Sequence, residues 1–160
     1  MRATRILIAD DNPAVRYVVR QLLEQNPGCE VCGEAQDGGA AVEMVAQLKP
    51  DIVILDFKMP VMNGLEAAYL IANFAPKTLI LLFTGSDSQA LVDQVRDLRT
   101  AVVIFKQDGG YQRLKSCIDD LLKGNEIRRC RDLSFAPRKS QAQKALRVHA
   151  GEAPQHRYRH

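Results

Sequence analysis

The chain predicts a doubly wound α/β domain, with five parallel strands in the order 2-1-3-4-5 flanked by five helices. Two observations carry this expectation. Four short runs, RILIAD (5–10), DIVILD (51–56), TLILLFT (78–84) and AVVIFK (101–106), are rich in Ile, Leu and Val on both faces. Strands of a parallel sheet, covered by helices on either side, read this way. Segments of helical period separate the runs, and right-handed crossovers then give a three-layer sandwich.

Taken in order, the elements are each justified by their punctuation. After the first strand, Asn12 caps a helix and Pro13 takes its first position, with Val15, Val18, Val19, Leu22 and Leu23 as the apolar stripe. Asn26-Pro27-Gly28 stops it. CEVCGEA (29–35) is a second, weaker strand. Asp37 caps a helix that turns Ala41, Val42, Val45 and Leu48 inward and ends at Lys49-Pro50. Asn63 caps the third helix, with Glu66 completing a capping-box pair. Ser86 or Asp87 starts a fourth, carrying Leu91, Val95 and Leu98. The fifth spans about 110–123 and turns Leu114, Cys117, Ile118, Leu121 and Leu122 to the sheet.

Parallel strands all end on one edge, where open α/β sheets bind ligands. Asp10 and Asp11, Asp56, Thr84 and Lys106 finish four of the five strands, so all five side chains converge on one crevice. Three acids suit a hard divalent cation, and a Thr with a Lys suits phosphoryl oxygens. Asn12 already serves as the helix cap, which leaves Asp10 and Asp11 without a structural purpose there. Lys106 and Thr84 would each be unremarkable at a strand end; spacing alone gives them weight. A nucleotide-binding reading fails, because no glycine-rich phosphate loop follows the first strand and the crevice is acidic.

Asp10-Asp11, Asp56-Phe57-Lys58-Met59-Pro60, Asn63-Gly64, Thr84 and Lys106 together resemble the receiver domain of two-component response regulators, and MPVMNGLEA is similar to the NarL/FixJ-type branch. The resemblance covers about residues 1–123 and implies the flavodoxin-like fold. It implies Asp56 as phosphoacceptor, with Thr84 and Lys106 on the transferred group. Asp10, Asp11, Asp56 and the backbone carbonyl of Lys58 would be the Mg²⁺ ligands. A sensor histidine kinase or phosphotransfer protein would be the partner, and phosphorylation would switch protein contacts, a homodimer among them. Such a protein is a phosphoacceptor that promotes its own phosphoryl transfer rather than an enzyme acting on others. The Lys58 side chain is expected either to cross the crevice or to lie in solvent. Two positions depart from the pattern. Val103 stands where many receivers carry an aromatic residue, and Gln107 follows Lys106 where many carry Pro.

Charge divides the chain. Residues 1–123 hold 13 Lys/Arg against 16 Asp/Glu, a net −3, whereas 124–160 hold 9 against 3, a net +6. The second segment is expected to be a basic tail, disordered or marginally helical around 140–150, and dispensable for folding and phosphorylation. It is too poor in apolar residues for a helix-turn-helix. The second functional reading is a DNA-binding transcriptional regulator, with the tail contacting nucleic acid through phosphates without sequence preference. The resemblance would lead one to expect an output domain, so the chain reads as a stand-alone receiver or as a regulator whose output domain was lost or is encoded differently. No apolar run reaches a membrane span and no signal-peptide pattern opens the chain, so a cytoplasmic location is expected. Cys29 and Cys32 form a C-x-x-C without a second ligand pair, which reads as strand rather than metal or redox site. Cys117 is expected in the core; Cys130 has no assigned place.

Overall fold

The computed structural model describes residues 2–86 and 88–134. Strands β1 (Thr4–Ala9), β2 (Cys29–Ala35), β3 (Ile52–Leu55), β4 (Leu79–Thr84) and β5 (Ala101–Phe105) alternate with helices α1 (Pro13–Glu24), α2 (Gly38–Leu48), α3 (Gly64–Phe74), α4 (Gln89–Arg96) and α5 (Gly110–Leu122). The strands pair in parallel in the order β2-β1-β3-β4-β5, as the alternation of elements predicts.

Every residue of β3 is buried. Val53 and Leu55 pack with α2, α3 and α4 through Val45, Ile71 and Leu91. Ile52 and Ile54 pack with α1 and α5 through Val19, Leu23 and Leu114. The central strand is thus apolar on both faces because both faces are covered.

Most of the caps follow the sequence. The Asn12 side chain accepts from the amide of Ala14 at 2.9 Å, with Pro13 as the first helical residue. Asp37 accepts from Ala40 at 2.7 Å, and Asn63 with Glu66 forms a reciprocal capping box. α4 differs: its cap is Ser88, which accepts from Leu91, not Ser86, and Asp87 lies outside the described residues.

Cys29 and Cys32 are both half-buried free thiols. Cys29 packs on the α1/α5 side and Cys32 on the α2/α3/α4 side. Side chains three apart on a strand face opposite ways, so the pair cannot share a ligand. A register shift between Ile6 and Leu7 leaves Cys32 unmatched in the ladder with β1.

Beyond α5 the chain forms a sixth helix, α6 (Arg128–Ser134), where the sequence predicts five helices and a tail. Ile127 and Cys130 enter the core on the α5 side. Cys130 is disulfide-bonded to Cys117, with the two Cα atoms 5.2 Å apart, and Arg131 donates to the carbonyl of Leu98 at 3.1 Å. A helix this short shows hardly two turns of period, and its arginines mask the one buried stripe. Residues 135–160, with the expected helix near 140–150, lie outside the described residues.

Candidate functional site

Four of the five strands, all but β2, deliver a polar group at the same edge. Asp10 follows β1, Asp56 follows β3, Thr84 ends β4 and Lys106 follows β5. Asp10, Asp56 and Thr84 are buried, at 3%, 8% and 1% exposure, whereas Asp11 is exposed. Carboxylates this buried require partners, because an unpaired buried charge is among the costliest features a fold can carry.

Lys106 is the chief partner. Its Nζ lies 2.7 Å from Asp10 Oδ2 and 3.4 Å from Asp56 Oδ1. The same ammonium sits 5.6 Å above the centre of the Phe83 ring, which is held edge-on by Tyr111. Backbone amides do the rest: Asn12 donates to Asp10 Oδ1 and Phe57 to Asp56 Oδ1, both at 2.9 Å. Asn12 thus has two roles, its side chain capping α1 and its amide steadying Asp10.

One lysine cannot neutralise three carboxylates. Oxygens of Asp10, Asp11 and Asp56 lie within 4.8 Å of one another. Burial pushes the Asp56 carboxyl above its ordinary pKa; Lys106 opposes that, Asp10 reinforces it, and the Phe57 amide helps the charged form. Such a residual negative charge in a crevice open at Asp11 fits a small divalent cation that keeps part of its water shell.

The loop from Asp56 to α3 is tightly held. Gly64 donates to the carbonyl of Phe57 at 2.8 Å, and a Cβ on Gly64 would lie 2.0 Å from the carbonyl oxygen of Asp56. Only glycine lets α3 begin so close to the end of β3. Within the loop Met59 is buried, and Val61 is 87% exposed at φ 68°, costly for a β-branched residue. The Lys58 side chain is exposed, the solvent alternative of the two expected.

Thr84 ends the strand next to β3 and is buried, and its hydroxyl accepts from the amide of Ser86 at 3.1 Å. Val103 is buried in β5. No described residue follows a cis peptide bond, Gln107 included. Sequence reasoning missed the Phe83 ring beneath Lys106 and the Gln107 side chain, which donates to the carbonyl of Gly85. Phe83 reads only as a core position in its strand, and the departure at Gln107 says nothing of where its side chain reaches.

A family model described as the response regulator receiver domain matches residues 6–118. The chain belongs to the response regulator receiver family. This receiver is 31% identical over 123 residues to a probable transcriptional regulatory protein NarL of Mycobacterium tuberculosis, covering 77% of this chain and 56% of that protein. It is 36% identical over 104 residues to a protein-glutamate methylesterase/protein-glutamine glutaminase of Thermotoga maritima, covering 65% of this chain and 30% of the relative. The receiver therefore matches about half or less of these curated relatives. Among solved structures, the isolated receiver of RcsB from Salmonella enterica superposes with a TM-score of 0.72 at 26% identity, covering 81% of this chain and 99% of that one. The response regulator domain of Thermotoga maritima CheB gives 0.65 at 29%, covering 77% and 96%.

Proposed function

We propose that this receiver accepts a phosphoryl group on Asp56 from a histidine kinase or phosphotransfer protein, in a Mg²⁺-dependent reaction that alters its contacts with other proteins. The observation that carries this reading is the Lys106 ammonium placed between two buried carboxylates at the edge where strands end. That is a structural expense without purpose unless an anion is to be managed there.

In the reaction, an Oδ atom of Asp56 forms a bond to phosphorus as the bond from phosphorus to the donor's leaving nitrogen breaks. Two anions meet, and the obstacle is their repulsion more than bond making. Lys106 is already within 3.4 Å of Asp56 and needs only a small shift to pair with the new phosphoryl oxygens. Thr84 would release the Ser86 amide and turn its hydroxyl to donate to one of them, drawing the β4–α4 loop inward. The exposed Asp11, buried Asp10, Asp56 and the Lys58 carbonyl are the groups that would hold Mg²⁺, whose charge supplies the remaining neutralisation when bound.

The reading extends to a cytoplasmic setting and to self-association as one contact the switch can alter. No described helix is long and apolar enough to cross a membrane. Esterase and transcriptional activity belong to the full-length relatives and are not carried over. The test is incubation with acetyl phosphate and Mg²⁺ followed by intact-mass measurement. One added phosphoryl group is expected, and none for Asp56→Asn; label that survives the substitution would place the acceptor elsewhere.

A further inference from the structure

The loop that carries Lys106 is held by a residue outside the crevice. Between β5 and α5 the backbone passes through two left-handed residues, Asp108 at φ 51° and Gly109 at φ 84°. Gly110 then enters α5 so close that a Cβ there would lie 2.0 Å from the carbonyl oxygen of Phe105. No side chain caps this helix, and a turn so bent leaves backbone carbonyls in need of donors.

Arg113 supplies them. Its guanidinium donates to the carbonyls of Phe105 at 3.1 Å, Gln107 at 2.7 Å and Asp108 at 2.5 Å. Two of these residues flank Lys106 directly. Charge does not explain the placement, since a cation in the first turn of a helix meets the positive end of its dipole. Geometry does: a planar fork of donors can reach several carbonyls at once, which a lysine's compact ammonium cannot match. The immobilised segment also touches the neighbouring strand end. The Lys106 amide donates to the Thr84 carbonyl at 2.9 Å, and the Gln107 side chain reaches Gly85.

We propose that Arg113 is a positioning residue for phosphoryl transfer: by clamping the carbonyls on either side of Lys106, it sets where the Lys106 ammonium can stand over Asp10 and Asp56. This rests on the phosphoacceptor reading above. A lysine stem loses much rotamer freedom when its head is held, and fixing the backbone at its root limits the alternatives.

The test is a double-mutant cycle. Acetyl-phosphate labelling rates are measured with Mg²⁺ for wild type, Arg113→Ala, Lys106→Ala and the double variant, with melting curves on each. Arg113→Ala is expected to slow labelling on the order of tenfold, the scale of a sub-ångström misplacement. In the Lys106→Ala background it should change the rate by less than about twofold, because the two losses share one cause. Arg113→Lys should behave like Ala. Equal losses in both backgrounds, or full activity in the Lys variant, would overturn the assignment. The Lys106 Cε methylene resonance gives a reading independent of chemistry: it should shift in Arg113→Ala without cation or phosphodonor, and an unmoved signal counts against the role. If wild type fails to label at all, the phosphoacceptor reading falls, and the methylene signal still decides whether Arg113 places Lys106.

Discussion

The edge where the strands end and the flank of β5 where α6 lies are built on opposite principles. At the edge, three carboxylates gather around one ammonium, and burial works against the charge of Asp56. On the flank, Ile127, Cys117 and Cys130 are buried with Ile104 and Leu114, and a disulfide joins α5 to α6. The first region crowds like charge, which works against stability; the second adds to stability with apolar contact and a cross-link. The stabilising contacts thus lie away from the crowded charge.

The sharpest way to break the contrast is to cut the chain. Ending it after Lys123 removes Ile127, worth about 1.5–3 kcal/mol of burial, and opens a disulfide whose loop is worth about 3 kcal/mol. Together these approach about 5 kcal/mol, the lower bound of a typical domain's whole stability. The melting temperature should drop by about 15 °C, whereas ending the chain after Ser134 should change it little. A melting curve unmoved by the shorter cut would restore the expectation that everything after residue 123 is dispensable. Reduction of the intact protein with dithiothreitol should show the disulfide's share alone.

Charge at the edge should respond next. Mg²⁺ at a hundredfold excess over its Kd should stabilise the wild type by about 2.7 kcal/mol. Asp11→Asn should raise the melting temperature of the metal-free protein by roughly 2–4 °C, about the effect of 1 kcal/mol, and shrink the gain from Mg²⁺. Asp11 is the substitution to choose because Asp10 is bound to Lys106 at 2.7 Å, so its loss would strand the ammonium. An undiminished Mg²⁺ response in Asp11→Asn would show that the cation sits elsewhere.

The sequence and the structure agree most closely where one physical signal dominates. Runs such as IVIL in β3 are apolar on both faces because both faces are covered, and that alone places Asp56 at the end of a central strand. Asn12, Asp37 and Asn63 declare helix starts through hydrogen bonds local to a few residues. The start of α4 was less legible because Ser86, Asp87 and Ser88 are all competent caps within three residues. α6 was illegible for the opposite reason: its stability comes from tertiary burial of Ile127 and Cys130 and from a cross-link 13 residues away in sequence, neither of which leaves a period to read. At the candidate site, residue types and strand ends pointed to the three acids and Lys106, which the structure brings together. The supports could not be found that way, since Phe83 beneath the ammonium and Arg113 behind the loop depend on side-chain directions that spacing does not encode.

The smallest effect sets two carboxyls of this molecule against each other. Asp56 has a folded-state pKa raised above the ordinary value of 3.8, chiefly by burial. Its contribution to stability is therefore fully present below the unfolded-state pKa, about 3.9, and is lost as pH rises through the folded value. Asp119 runs the other way. The Lys115 ammonium at 2.9 Å, with help from Asn26, holds its carboxyl below the ordinary value. Its contribution is present above the unfolded-state pKa and is lost as pH falls through the folded one. In metal-free melts from pH 3 to 7, the melting temperature of Asp56→Asn relative to wild type should climb as pH rises from about 4, because only the wild type acquires a buried charge. Asp119→Asn should instead lie below wild type by a steady margin above that pH and converge with it as pH falls further. A constant offset for Asp56→Asn across the range would mean that Asp56 titrates as it does in the unfolded chain. Burial would then not oppose its charge, and the edge of the sheet would be no more costly than the flank.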